Sequence, residues 1–279
     1  MKGHNDMKRI LITSALIFFT AYPCACAATC KPDKSSCPPH TIRNTHDASR
    51  SDPNKVDNIL SRLNQSAARL KTYQAKIRYL FIQDPEFLDS QTLRKGELFY
   101  KKDASGSKLR VTFNTLKQDD GDEENHIEHY IFDGVWLVKI DFQLEKADFF
   151  QQAPEEQPID VFEFISHRFP LLGFTNTAGL RKDFDITLIP SKEAKSGNFK
   201  GLRLTPTRDS TYKNDYSGIS FWLDTATFLP AKIAAESTEG DIYDIQLLES
   251  KVNKKIKNAV FKLETPKHFS QNIAPLNRK

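Results

Sequence analysis

The sequence predicts an α+β fold built on one large antiparallel sheet, and three observations lead there. Apolar and polar residues alternate with period two in many short runs after Lys71, each bounded by turn-forming residues. Only Pro53–Leu70 and Pro158–Phe174 break this rhythm, with helical or denser apolar patterns. No internal repeat or linker divides the chain beyond Pro53. One domain is therefore expected over residues 53–272, with 273–279 as a flexible tail.

The first residues stand apart from that domain. Lys8 and Arg9 precede a short apolar stretch, Ile10–Thr20, and Ala25-Cys26-Ala27 offers small residues at the positions a signal peptidase reads. The stretch is too short to span a bilayer, so residues 1–27 are expected to be a cleaved export signal, with Met7 an alternative start. Cys24 and Cys26 would leave with it. Cys30 and Cys37 would remain and, in an oxidising compartment, form a local disulfide. Lipidation of a cysteine is the alternative, but the residues before Cys24, Cys26 and Cys30 fit a lipobox poorly. Residues 28–52 are rich in Pro, Ser, Asp, Asn, Lys and Thr and too poor in large apolar side chains to offset ordering entropy; a disordered leader is expected.

Asp52-Pro53 reads as an N-cap followed by proline at the first helical position. Val56, Ile59, Leu60, Leu63, Ala67 and Leu70 then recur at helical spacing, opposite Lys55, Asn58, Arg62 and Gln65. The period changes at Lys71, and Tyr73, Ala75, Ile77, Tyr79 and Phe81 alternate as one face of a strand that Asp84-Pro85 ends. Strands follow at 92–102 and 108–115, separated by the flexible turn Asp103–Ser107. A hairpin at 128–132 and 135–142 turns on Asp133-Gly134, and 147–151 continues the meander. Pro158–Phe174 fits an apolar helix ending near Pro170. Further strands are expected at 184–189, 201–206, 218–224, 230–236, 242–252 and 260–263.

Composition excludes several functions. Lys2, Lys8 and Arg9 against Asp6 put half of the chain's formal +4 charge into residues 1–27. The remainder is too balanced for a nucleic-acid partner. Ser217-Gly218-Ile219-Ser220-Phe221 has the wrong spacing for a nucleophile elbow, and no other catalytic pattern competes, so no enzyme activity is expected. His126 and His129 stand near Glu124 and Glu128, but residues three apart in a strand point to opposite faces, which disfavours a shared metal. Asp119–Glu124 lacks the alternating ligands of a calcium loop. No cofactor is expected. The 20 Phe and 8 Tyr could fill a core or line a pocket, and composition does not separate the two.

One further pattern bears on function. Gly96-Glu97-Leu98-Phe99-Tyr100-Lys101-Lys102 precedes Phe132-Asp133-Gly134-Val135-Trp136-Leu137. Gly201-Leu202-Arg203-Leu204-Thr205-Pro206, then Phe221-Trp222-Leu223-Asp224 with Leu229–Ile233, and finally Phe261–Pro266 follow in order. Together these segments resemble the LolA family of periplasmic lipoprotein carriers. The resemblance implies an incomplete β-barrel whose concave face is covered by helices, here Pro53–Leu70 and Pro158–Phe169. It also implies a soluble periplasmic carrier, expected to be monomeric, that takes lipoprotein acyl chains or another lipid. An inner-membrane release complex would be the donor and an outer-membrane protein the acceptor. The alternative is a LolA-like envelope lipid-binding or sensor module that regulates a partner.

Under that resemblance, Leu60, Leu63, Phe99, Phe113, Trp136, Phe162, Phe164 and Trp222 are the expected lipid-contacting residues of pocket and lid. The family's lid-latching arginine, at the end of the Gly-x-Leu-aromatic strand, corresponds here to Lys102. Arg110 on the next strand is a second candidate.

Overall fold

The computed structural model describes residues 53–166, 177–190 and 198–276. The expected signal segment, the leader and the Cys30–Cys37 pair lie outside them. Helix α1 spans Pro53–Ala68 and buries Val56, Ile59, Leu60, Leu63 and Ala67, the stripe expected from the sequence. Burial of each large aliphatic side chain stabilises by roughly 1.5–3 kcal/mol, an upper estimate. The polar side of α1 carries an Asp57–Arg181 ion pair and sets the Arg62 guanidinium 3.6 Å from the Phe228 ring centroid.

Twelve strands form one large, open, curved sheet. They are β1 Thr72–Gln83, β2 Ser90–Asp103, β3 Gly106–Gln118, β4 Glu124–Phe132, β5 Trp136–Asp141, β6 Lys146–Gln151, β7 Phe184–Ile189, β8 Phe199–Pro206, β9 Tyr216–Asp224, β10 Pro230–Ser237, β11 Ile242–Val252 and β12 Ser270–Ala274. Their order across the sheet is β12-β6-β5-β4-β3-β2-β1-β11-β10-β9-β8-β7. Every neighbouring pair is antiparallel except β12–β6, which is parallel. Helices α2 (Val161–Ser166) and α3 (Thr177–Asp183) lie between β6 and β7 in sequence.

Register sorts the residues onto two faces. Tyr73, Tyr100, Leu109, Phe132 and Leu137 are successive cross-strand partners, and Leu202, Phe221 and Ile233 lie on the same face in a second row, which reaches β1 at Tyr79 through Ile245. Phe162 and Phe164 of α2 stack on the first row, at 4.6 Å from Tyr100 and 4.2 Å from Phe132, which makes this the helix-bearing face. On the opposite face Val138, Ile140 and Ala147 pack with Phe269 from the C-terminal segment.

Two expectations change here. The apolar helix expected over Pro158–Phe174 is α2, six residues long; residues 167–176 lie outside those described. The strand expected at 260–263 is a 3-10 helix, Asn258–Phe261. That segment meets β3, whose two edges are already taken by β2 and β4, so it cannot add a strand. The chain instead crosses the opposite face and adds β12 to the free edge of β6, pairing through Ala274, inside the segment expected to be a tail.

Candidate functional site

Where the link from α1 to β1, helix α2 and the sheet meet, the packing is incomplete. An apolar cavity of about 60 Å³ lies among Leu70, Tyr73, Leu98, Tyr100, Leu109, Val161, Phe162, Ile165, Leu229, Pro230 and Leu247. No polar atom contributes to its surface. It is partly open to solvent, and a site so lined offers water no hydrogen-bond partner. The cause is local: Tyr73, Tyr100 and Phe162 are broad rings that cannot interdigitate as aliphatic branches do, and Leu98 and Leu109 are only half-buried.

The wall formed by α2 is held at its N-terminus by Asp160. Its Oδ1 accepts from the Phe162 amide at 2.8 Å, as a helix cap does. Its Oδ2 accepts from Lys102 Nζ and from Ser107 Oγ, each at 3.0 Å, and Ser107 Oγ in turn accepts from the Val161 amide at 2.8 Å. Ser107 is buried, whereas the Lys102 and Asp160 side chains are 51% and 27% exposed. An ion pair this open to solvent contributes about 0–1 kcal/mol. Burial and the nearby Asp160 carboxylate push the Tyr100 phenol well above its ordinary pKa.

The Asp133-Gly134 turn seats the same segment. Asp133 Oδ1 accepts from the amides of Val135 and Trp136 at 2.9 and 2.8 Å, and Gly134 O accepts from the Ile159 amide at 2.9 Å. Gly134 has φ +103°, and a Cβ there would come 3.1 Å from Pro158 Cβ. Gly96 is constrained more tightly, because a Cβ would meet Thr112 O at 1.7 Å beside the bulge at Lys95/Gly96. Both glycine motifs singled out in the sequence thus shape the backbone around the cavity.

The expected site residues divide by face. Phe162 lines the cavity, and Phe164 packs on Phe132 beside it. Leu60 and Leu63 are buried on α1. Phe113 lies on the helix-bearing face between Tyr79 and Tyr130, 1% exposed, as core. Phe99, Trp136 and Trp222 are on the opposite face and do not join the cavity: Phe99 pairs with Arg110, Trp136 packs beside Val138, and Trp222 lies under Lys232. Lys102 reaches the N-terminus of α2 through Asp160. Arg110 faces away, donating to Val260 O at 2.7 Å and to His129 Nδ1 at 3.0 Å. Because arginine only donates, His129 is the neutral tautomer with its proton on Nε2. Burial and Arg110 lower the His129 pKa to about 4.

Sequence reading missed a buried charge network further along the helix-bearing face. Glu128, its side chain 2% exposed, lies 3.2 Å from Arg94 and 3.3 Å from Lys139, with His126 at 3.7 Å. His126, Glu128 and Asp141 have the spacing of a metal triad. Glu128 is already engaged by two cations, and Asp141 accepts from the amides of Gln143 and Leu144. A divalent ion would meet Arg94 and Lys139 at contact distance, so the donor set does not suit one.

No protein-family model matches the sequence, and no curated protein is similar to it. Among solved structures, the chain is similar to an uncharacterised conserved protein from Thermus thermophilus, with 13% identity over 78% of this chain and 99% of that one (TM-score 0.45). It is similar to MucB in a Pseudomonas aeruginosa MucA/MucB complex, with 15% identity over 75% of this chain (TM-score 0.43); it spans 61% of that protein's chain. A LolA superfamily protein from Nitrosomonas europaea is 12% identical over 74% of this chain and 97% of that one (TM-score 0.34). These identities and scores are low, and the functional reading rests on the site's geometry.

Proposed function

We propose that the protein binds a lipid acyl chain against the helix-bearing face, with α2 and Leu70, just after α1, as its lid. We further propose that it acts in the cell envelope as a carrier of lipoprotein acyl chains. The observation that carries this reading is the apolar cavity walled by a six-residue helix, whose N-terminus is held partly by one solvent-exposed ion pair. At about 60 Å³ the cavity is a seed and not a finished pocket, so α2 must move for a chain to lie down. Each methylene buried then contributes roughly 0.8 kcal/mol, with no polar contact required. Lys102–Asp160 is the latch in this reading, and Arg110, on the opposite face, has no part in it. The sequence resemblance to lipoprotein carriers favours a lipoprotein as cargo. A sensor that reports lipid to a partner would share the acyl site and differ in cargo and release.

Native mass spectrometry of the protein purified from envelopes, with organic extraction of its contents, tests the proposal. An acylated lipid or lipopeptide at one per chain is expected. Protein that arrives empty and takes up no acyl probe would overturn it.

A further inference from the structure

Charge is near balance over the whole chain, but one segment is purely basic. The segment Lys251–Lys262 holds Lys251, Lys254, Lys255, Lys257 and Lys262 and no acidic residue. Register brings other lysines to it. Thr72 pairs with Lys101 and Tyr73 with Val252, so the start of β1, the end of β2 and the end of β11 form one rim, which Lys71 also joins.

The segment is fastened to that rim. Asn253 Oδ1 accepts from the Lys71 amide at 2.8 Å, Asn253 Nδ2 donates to Arg69 O at 3.2 Å, and Thr72 Oγ1 donates to Lys254 O at 2.5 Å. Further on, Lys101 Nζ donates to Asn258 Oδ1. The lysines are therefore held at a fixed place. Lys254, Lys255 and Lys257 are exposed, and among the described residues no carboxylate lies within ion-pair distance of them. Beside them, Lys101, Lys108 and Lys262 line a pocket of about 230 Å³ whose one carboxylate, Asp103, is engaged by Lys101 at 2.9 Å.

We infer that this lysine rim docks on an anionic phospholipid surface. The segment contains lysine and no arginine, which suits a diffuse negative field better than the planar, bidentate contacts of protein carboxylates or nucleic-acid bases. Apolar side chains alternate with the charges: Ile256, Val260 and Phe261 are half-buried, and Leu263 is 41% exposed. Such interleaving fits an interface with lipid on one side. The position agrees as well. Tyr73 and Tyr100, next to the rim on β1 and β2, are walls of the apolar cavity, so docking brings that cavity to the bilayer. The lysine rim would meet an anionic surface whether or not the cavity takes acyl chains.

The test is co-sedimentation of the protein with phosphatidylglycerol–phosphatidylcholine vesicles and with pure phosphatidylcholine vesicles. Binding to the anionic vesicles alone is expected, and it should fall as salt rises. A lysine near an anionic surface is worth roughly fivefold in partitioning, so losing three costs about 100-fold, and Lys254→Glu/Lys255→Glu/Lys257→Glu, which also adds three negative charges, should bind at least about 100-fold more weakly. Lys200→Glu, on β8, should bind as the wild type does. If circular dichroism shows the triple variant misfolded, Lys254→Gln/Lys255→Gln and the salt series carry the same test. No binding to anionic vesicles, equal binding to neutral ones, or unchanged binding by the variants would overturn the inference. So would displacement by polyglutamate in preference to vesicles, which would mark an acidic protein as the partner. Acyl-probe uptake that survives while vesicle binding fails removes this inference alone.

Discussion

The helix-bearing face is filled in two different ways. Across β8–β10 it is closed: Leu202, Leu204, Ile219, Phe221, Leu223 and Ile233 are all 0–1% exposed. Across β1–β4 the same face carries tyrosine rings, a void under α2 and a buried ion network. Branched aliphatic side chains interdigitate to crystal-like density, whereas large rings and paired charges leave gaps or demand partners. The closed half supplies rigidity. The open half keeps the freedom a binding site needs, and it lies next to the shortest of the described α-helices.

Substitutions separate the two halves, beginning with the largest effects. Phe221→Ala should destabilise by about 3–5 kcal/mol through the cavity it leaves, read by chemical denaturation. Glu128→Ala should cost a similar amount, about 3–5 kcal/mol, for another reason, because Arg94 and Lys139 would remain as buried charges without their carboxylate. Enlarging a side chain discriminates better. Leu204→Phe in the closed half should cost about 1–3 kcal/mol by overpacking, while Leu109→Phe beside the void should cost less than about 1 kcal/mol.

The opposite face adds a pH dependence. His129 has its pKa lowered from 6.5 to about 4, so the folded protein binds fewer protons there than the unfolded chain. Its contribution is complete above pH 6.5 and is lost as pH falls towards 4. The loss should be about 1–2 kcal/mol after allowance for partial exposure, and absent in His129→Gln. The smallest effect belongs to the proposed latch, the Lys102–Asp160 pair: Lys102→Met should change stability by about 0–1 kcal/mol while speeding uptake of an acyl probe in stopped-flow fluorescence.

Much of the fold was legible because it obeys simple periods. The α1 stripe, the alternation in β1 and the Asp133-Gly134 turn each follow from local chemistry and appear as expected. The faces were harder to read. Leu98-Phe99-Tyr100 and Trp136-Leu137-Val138 are apolar at every position, so alternation could not say which side faces α2. Phe99 and Trp136 fall on the other one. Trp222, between Phe221 and Leu223, follows the same logic. Asp160, Ser107 and Lys102 carry no joint signature, since 53 and 58 residues separate the partners that meet at Asp160. The Arg94–Glu128 pair likewise exists only once β2, β3 and β4 are in register.

If an acyl chain begins to bind in the void under α2, as proposed, filling that void should weaken binding. A fluorescent fatty-acid probe would be titrated into wild-type protein and into Leu109→Phe, with denaturation midpoints measured on both samples. Saturable binding by the wild type is expected, with binding by Leu109→Phe weaker by about four- to fifteenfold at nearly unchanged stability, the loss that follows from displacing one or two buried methylenes at about 0.8 kcal/mol each. A wild type that shows no saturable binding, or a filled variant that binds as the wild type does, would contradict the account.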